Sequence, residues 1–93
     1  MKIDKLKLSK TGKFIKHFRV RVDNREDDIK FSYVVKKLLR KEPLELKFKD
    51  HKLSGNKKGF RECHIKPDLL LVYQILENEI RLIDIGTHSQ LFK

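Results

Sequence analysis

The sequence predicts one α+β domain, residues 1–93, in which two helices pack on one face of a small, twisted, mainly antiparallel sheet. Three observations predict it: a lysine-rich extended segment comes first, two stretches with helical spacing follow, and three strand-like runs fill the second half. This order of strand, two helices and three strands is typical of a two-layer fold. We expect the face of the sheet opposite the helices to be open and free to carry a site.

The first half contains the extended segment and both helical stretches. Residues 2–8 alternate lysine with apolar residues and predict a short edge strand, because edge lysines discourage unwanted pairing. Ser9 or Thr11 can cap a helix that runs through residue 22. The acids of residues 23–28 suit the start of a second helix, and we expect Pro43 to end it. Both helices have an apolar stripe, formed by Phe14, Ile15, Phe18 and Val22 in the first and by Phe31, Val34, Val35 and Leu38 in the second.

The second half predicts a loop and then three strands. Residues 43–59 are rich in loop-forming residues, with a short extended piece at residues 44–48. The run 60–65 alternates polar and apolar residues. Residues 69–76 are almost continuously apolar, as expected of a central strand buried on both faces. Residues 79–85 are expected to pair with this central strand through a tight turn.

The charge of the chain points to a polyanionic partner. The 93 residues carry a formal net charge of +10, which favours binding of RNA, DNA, an anionic membrane or an acidic protein. Residues 1–50 hold 16 Lys and Arg against 8 Asp and Glu, whereas residues 51–93 hold 7 against 5. Most of the positive field therefore comes from the first half. A surface that binds phosphate and a site that does chemistry can thus come from different halves.

The expected compartment is the cytoplasm. A single cysteine, Cys63, excludes an internal disulfide and fits a reducing environment. We expect Cys63 to be a small buried apolar residue rather than a nucleophile. No apolar run approaches the roughly 18 residues that a membrane span needs. The N-terminus also lacks the apolar stretch of a signal peptide, so no membrane partner is expected.

Strand alternation places three side chains of the 60–65 run on one face. Residues two apart point to the same side of a strand, so Phe60, Glu62 and His64 lie together and Cys63 and Ile65 lie opposite. If Cys63 and Ile65 pack under the helices, Glu62 and His64 face the open side. The sequence therefore predicts a carboxylate beside an imidazole on an exposed surface.

Two more histidines can join this pair. His51 lies in the predicted loop before the strand and His88 follows the last strand, and both can fold back over the open face. RNA cleavage without a metal needs a base for the 2′-hydroxyl, an acid for the leaving 5′-oxygen and a cation for the phosphorane. Histidine can act as either acid or base near neutral pH. The candidate catalytic residues are therefore His51, Glu62, His64, Asp68 and His88, with Lys57, Lys58, Arg61 and Arg81 as candidate RNA-binding residues.

Each of these residues also has an ordinary structural explanation. A histidine at a strand end is usually a solvated surface residue, Glu62 can pair with Arg61 or a lysine, and Asp68 suits a turn after Pro67. Three histidines can also form a metal site, but no pair has the i, i+2 or i, i+4 spacing that such sites often use. We therefore expect no metal and no cofactor. From the residues alone, a nuclease and a plain basic RNA-binding module both stay open.

Three blocks of the sequence resemble a known family. The segments 50–55 (DHKLSG), 61–73 (RECHIKPDLLLVY) and 86–92 (GTHSQLF) are similar, in order and spacing, to the YafQ branch of the RelE/ParE toxin superfamily. These are toxins of bacterial type II toxin–antitoxin pairs. The resemblance implies a RelE-like fold and a ribosome-dependent endoribonuclease, an mRNA interferase, that is neutralised by its antitoxin. The implied partners are a cognate antitoxin, mRNA and the 70S ribosome.

The resemblance also implies roles for particular residues. His51, His64, Asp68, His88 and Phe92 fall on positions that the family uses for catalysis or for holding the mRNA. His51 and His64 are expected to act as acid and base. Asp68 is expected to orient one of them, His88 to donate a proton or bind phosphate, and Phe92 to stack against a base.

One position departs from the family pattern. Two residues before the GTH motif, relatives commonly carry a basic residue, whereas this chain has Asp84. A cation there would stabilise the phosphorane. We expect either weaker catalysis or that Arg81, Arg61 or a lysine takes over this role. The other function open within the superfamily is a ParE-like toxin that inhibits a topoisomerase by binding, although such relatives are expected to lack the histidines.

Overall fold

Two helices cover one face of a five-stranded sheet in the computed structural model of the protein, which describes residues 5–53 and 59–92. This architecture confirms the predicted fold class. The elements in chain order are β1 (Lys7–Lys10), α1 (Gly12–Arg21), α2 (Arg25–Leu39), a 3₁₀ turn (Leu46–Phe48), β2 (His51–Lys52), β3 (Phe60–Lys66), β4 (Leu69–Leu76), β5 (Glu79–Gly86) and α3 (His88–Leu91).

The sheet is mixed, with the strand order β1-β5-β4-β3-β2. β2 to β5 pair antiparallel, whereas β1 runs parallel to β5 at the edge. A parallel pair needs a crossover connection, and α1 and α2 lie in the chain between β1 and the other strands. The predicted central strand is confirmed, since β4 is the middle strand of the sheet. The predicted edge strand is present as β1, but it covers Lys7–Lys10 and runs two residues past the expected end at residue 8, so that Ser9 lies in the strand rather than at a helix cap.

Both long helices begin at capping side chains. Thr11 Oγ1 accepts a hydrogen bond from the Phe14 N–H at 2.9 Å, and Asn24 Oδ1 accepts from the Asp27 N–H at 2.8 Å. The prediction that Pro43 ends α2 is wrong by a few residues. The helix ends at Leu39, because Lys41 adopts the left-handed conformation with φ 59° and turns the chain away.

The core lies between the helices and the inner face of the sheet. Phe14 and Val34 are buried there against Cys63 and Ile65, which confirms the predicted inward face of β3. Cys63 is fully buried, and this burial raises the pKa of its thiol, as expected of a packed apolar residue. The opposite face of the sheet is thereby left free of α1 and α2.

Three local predictions need correction or fall outside the structure. Residues 44–48 do not form an extended piece: Leu46–Phe48 is a 3₁₀ turn that buries Phe48 and ends at Lys49, which has φ 47°. His51 lies in a short strand rather than a loop. Lys57 and Lys58 lie outside the described residues. Within residues 5–53 and 59–92, no helix has the length and apolar character to cross a membrane.

Candidate functional site

The face of the sheet opposite α1 and α2, which we call the open face, presents its side chains in rows across the strands. Directly paired residues of neighbouring strands point to the same face, and rows two residues apart along a strand are separated by about 7 Å. The first row contains His64, Leu70 and Gly86; the second row contains His51, Glu62, Val72 and Asp84; the third row contains Phe60, Gln74, Arg81 and Ser9.

A bulge in β5 decides which residues reach this face. Val72 pairs with Asp84 but Tyr73 pairs with Leu82, so Ile83 is an extra residue in β5. Leu82 points into the core, and strict alternation from it would turn Asp84 inward as well. Because of the extra residue, Asp84 faces the open side in line with Glu62 and Val72.

The second row brings two imidazoles to one carboxylate. The distance from His51 Nε2 to Glu62 Oε1 is 3.3 Å, and the distance from His64 Nε2 to the same oxygen is 3.8 Å. Glu62 is only 6% exposed, whereas the His51 side chain is half exposed. The predicted placement of Glu62 beside His64 on the open face is therefore confirmed, and His51 completes a cluster that we call the His51–Glu62–His64 cluster.

A hydrogen bond to the backbone determines which ring nitrogen of His51 is available for proton transfer. His51 Nδ1 lies 2.6 Å from the carbonyl oxygen of Lys49. Because a carbonyl can only accept, Nδ1 carries the hydrogen and donates it. Proton exchange at His51 therefore takes place at Nε2, the atom that faces Glu62. The ring can take up and release a proton without turning.

A second polar cluster surrounds Asp84 where α1 meets β5. Asp84 Oδ1 accepts from His17 Nδ1 at 2.7 Å and from the Ile85 N–H at 2.8 Å. Lys13 Nζ and Arg21 Nη1 each lie 3.9 Å from the Asp84 carboxylate. We call these side chains the Asp84 cluster. Sequence reasoning missed it, although the signal was present as basic residues spaced by four along α1.

One protein family matches almost the whole chain. Residues 6–93 match the family described as a bacterial toxin of type II toxin–antitoxin system, YafQ. The chain belongs to the YafQ toxin family. The resemblance indicated by the three sequence blocks is thus confirmed, and the match extends through the helical first half that those blocks did not cover.

Curated and structural relatives support the same assignment. The mRNA interferase toxin YafQ of Escherichia coli K12 is 32% identical over 83 residues, which cover 88% of this chain and 90% of the relative. A crystal structure of a metal-bound toxin from Helicobacter pylori is 47% identical, with a TM-score of 0.86 over 94% of this chain and 99% of that one. The E. coli DinJ–YafQ complex gives 30% identity and a TM-score of 0.85 over 95% and 99%.

Two other predicted catalytic residues of this YafQ family chain lie apart from the His51–Glu62–His64 cluster. Asp68 is exposed in the turn between β3 and β4 and, within the described part of the chain, forms no ion pair with a histidine. Glu62 contacts His64 instead. His88 is the exposed first residue of α3, and its ring centroid lies 5.3 Å from that of Phe92. His88 and Phe92 therefore form an aromatic pair at the end of the sheet.

The predicted RNA-binding arginines have different positions. Arg61 faces the helices, as strand alternation with Cys63 and Ile65 allows: it donates to Tyr73 Oη at 3.2 Å and lies 3.2 Å from Asp50 Oδ2. Arg81 does lie on the open face, in the third row, where it is paired with Glu79 at 3.3 Å. Among residues 5–53 and 59–92, no three His, Cys, Asp or Glu side chains are placed to hold a metal ion.

Proposed function

We propose that this YafQ family toxin is an endoribonuclease that cleaves mRNA by acid–base catalysis at the His51–Glu62–His64 cluster. Two findings support the proposal. Curated relatives of the family are named mRNA interferases. The observation that carries the mechanism is the placement of two imidazoles on one buried carboxylate, on the open face of a protein with a net charge of +10.

The single carboxylate suits a site that needs one acid and one base. Acid–base cleavage uses one imidazole in its neutral form and one in its protonated form, and both rings lie within 3.8 Å of the Glu62 carboxylate. The neutral ring is the base and the protonated ring is the acid, as two-step proton transfer in RNA cleavage requires.

The reaction balances without water or a metal. The neutral imidazole takes the proton of the ribose 2′-hydroxyl, and the 2′-oxygen attacks the adjacent phosphorus. The bond from phosphorus to the 5′-oxygen breaks, and the protonated imidazole gives its proton to that oxygen. The products are a 2′,3′-cyclic phosphate and a free 5′-hydroxyl. The two histidines end with their protonation states exchanged.

The remaining predicted residues extend the site. The Phe92 ring, beside His88, offers a surface on which a base can stack, and His88 is exposed to contact phosphate. Asp68 acts at most through solvent, since Glu62 occupies the position beside His64. We also propose that the mRNA is presented by the ribosome in the cytoplasm and that a cognate antitoxin silences the toxin. The E. coli YafQ is known in complex with DinJ.

The test is mRNA cleavage in a translating extract, with 5′ ends mapped by primer extension. His51→Ala and His64→Ala should each cut at least 100-fold more slowly than the parent, because general acid–base catalysis contributes about 10²–10⁴-fold. Ser32→Ala, on the exposed side of α2, is the control and should cut like the parent. If both histidine variants cut normally, the mechanism is wrong. Unchanged mRNA together with altered DNA supercoiling would indicate a topoisomerase inhibitor instead.

A further inference from the structure

We propose that Arg21 of α1 is the cation that contacts the scissile phosphate in this toxin, and that Asp84 is the positioning residue that holds it. The inference rests on the proposed function, since it assigns a further residue to the same reaction. It concerns the Asp84 cluster, on the side of the open face opposite His51 and His64.

The Arg21 side chain lies across the first row of the open face. Its Nη1 donates to the carbonyl oxygen of Ile85 at 2.9 Å. A Cβ atom on Gly86 would lie 2.6 Å from Arg21 Nη1 and 3.3 Å from Arg21 Cδ. The arginine therefore runs over Gly86 in close contact, and only the missing side chain at this position leaves room for it.

The spacing of the row suits a phosphate. His64, Leu70 and Gly86 lie on three successive strands, so the backbones of His64 and Gly86 are about 10 Å apart. The imidazole projects from one side of this interval and the guanidinium from the other. Between them lies Leu70, a buried apolar residue that offers no competing polar group. A phosphodiester that lies over this row can contact both the imidazole and the guanidinium.

Arg21 keeps most of its capacity to bind an anion. A guanidinium has five N–H donors, and its shortest contact is to the neutral carbonyl of Ile85. The distance to the Asp84 carboxylate is 3.9 Å, which is longer than a hydrogen bond. The arginine is therefore held in place without a bidentate ion pair that would occupy its donors. Such preorganised cations are the groups that stabilise a phosphorane.

Asp84 has more than one cation beside it, so its negative charge does not neutralise the cluster. Lys13 and Arg21 both approach its carboxylate, and His17 donates to it, so the cluster keeps a net positive charge even with His17 neutral. Lys13, His17 and Arg21 lie four residues apart along α1 and form one stripe beside the sheet. The cation that Asp84 itself cannot supply thus comes from the neighbouring helix.

The first test compares two arginines of the same helix. Arg21→Gln removes the proposed contact, and Arg19→Gln removes an equal charge from an exposed position about 200° away around α1. We expect kcat for mRNA cleavage to fall about 100-fold for Arg21→Gln, as for loss of one donor to a developing oxyanion. Arg19→Gln should stay within about threefold of the parent. Thermal melting of both variants reports whether they fold.

Binding measured without cleavage separates a phosphate contact from a structural role. The probe is a single-stranded RNA with a 2′-deoxy residue at the mapped cleavage site, titrated at several salt concentrations. Loss of one phosphate contact lowers the slope of log K against log salt by about 0.7. We expect this decrease for Arg21→Gln and a smaller one for Arg19→Gln. Equal slopes and equal rates for the two variants would overturn the inference.

A double-mutant cycle gives a second, independent measurement. Asp84→Arg places a guanidinium on β5, beside the same row. Arg21→Gln should then cost much less than 100-fold in the Asp84→Arg background, because the two guanidinium groups substitute for each other. An undiminished loss in that background, with an unchanged melting temperature, would contradict a phosphate contact shared by these two positions. If His51→Ala and His64→Ala cut normally in the same assay, the proposed function fails instead, whatever the arginine variants show.

Discussion

Gly86→Ala tests the geometry of the site with a change of one methyl group. The added Cβ would lie 2.6 Å from Arg21 Nη1 and 2.7 Å from Gln90 Oε1. Ordinary contacts between heavy atoms begin near 3.5 Å, so the guanidinium must move by about 1 Å. A displacement of that size from a productive position can cost about 100-fold in rate. We therefore expect kcat for mRNA cleavage to fall 10- to 100-fold.

The same substitution should change stability little. Gly86 lies outside the left-handed region, so alanine is compatible with its backbone, and Gly-to-Ala changes at such positions stabilise by about 0.4–1 kcal/mol. Weakening the Arg21 bond to the Ile85 carbonyl costs about 1 kcal/mol. Both crowded atoms are ends of flexible side chains that can move aside. The net change in the free energy of unfolding should stay within about 1 kcal/mol.

The assay pairs primer extension in a translating extract with urea unfolding of the same preparations. Gly12→Ala is the matched control, because a Cβ there meets no atom within 4 Å; it should leave the rate unchanged and raise the free energy of unfolding by about 0.4–1 kcal/mol. Combining Gly86→Ala with Arg21→Gln should cut no more slowly than Arg21→Gln alone. A Gly86→Ala protein with parental stability and parental kcat would refute the placement of Arg21 in the site.

Three further predictions concern the fold. Arg61→Gln should lower the free energy of unfolding by about 1–3 kcal/mol, because it removes the charged contacts that Arg61 makes with Tyr73 Oη and with the partly buried Asp50 carboxylate, while the salt dependence of RNA binding stays parental. Cys63 should not react with a disulfide reagent at pH 8 until urea unfolds the protein, since burial raises the pKa of its thiol; rapid reaction of the native protein would contradict this. The hydrogen bond from Lys66 lowers the pKa of Asp27, so this pair stabilises the fold above about pH 4, the ordinary range of the carboxyl, and loses that effect as the pH falls through the lowered pKa. Asp27→Asn should therefore flatten the loss of stability that occurs below about pH 4, and an unchanged acid limb would exclude the pair as its cause.

The half of the site that lies on β3 was predictable because strand alternation is a local rule. Glu62 and His64 are two residues apart and so point to the same side of the strand. The apolar residues Cys63 and Ile65 point to the other side, so the sequence alone shows which side faces the core. His51 was predicted near them for the right reason, but as part of a loop. Its pairing with Glu62 depends on only two residues of β2, which is too short to give a periodic signal.

The other half of the site was not predictable from local patterns. Asp84 reaches the open face through the bulge at Ile83, and a run of apolar residues does not show where an extra residue will be inserted. His17 and Arg21 belong to a helix whose exposed side looks like an ordinary basic surface. Alternation along β3 also allows Arg61 to face inward, but its partners there, Asp50 and Tyr73, come from other parts of the chain and give no local signal.

Thr11 links the bulge at Ile83 to the helix that carries His17 and Arg21. The Thr11 hydroxyl accepts the Phe14 N–H at the start of α1 and donates its own hydrogen to the carbonyl of Ile83 at 2.8 Å. The beginning of the helix is therefore attached to the extra residue of β5. With α1 fixed at that point, Lys13, His17 and Arg21, which follow one another at intervals of about one turn, lie beside Asp84 and Gly86. The bulge thus places the basic side chains of α1, from the first half of the chain, next to the strand that leads to His88 in the second half. These cations explain how β5, which carries Asp84, can still border a site for phosphate.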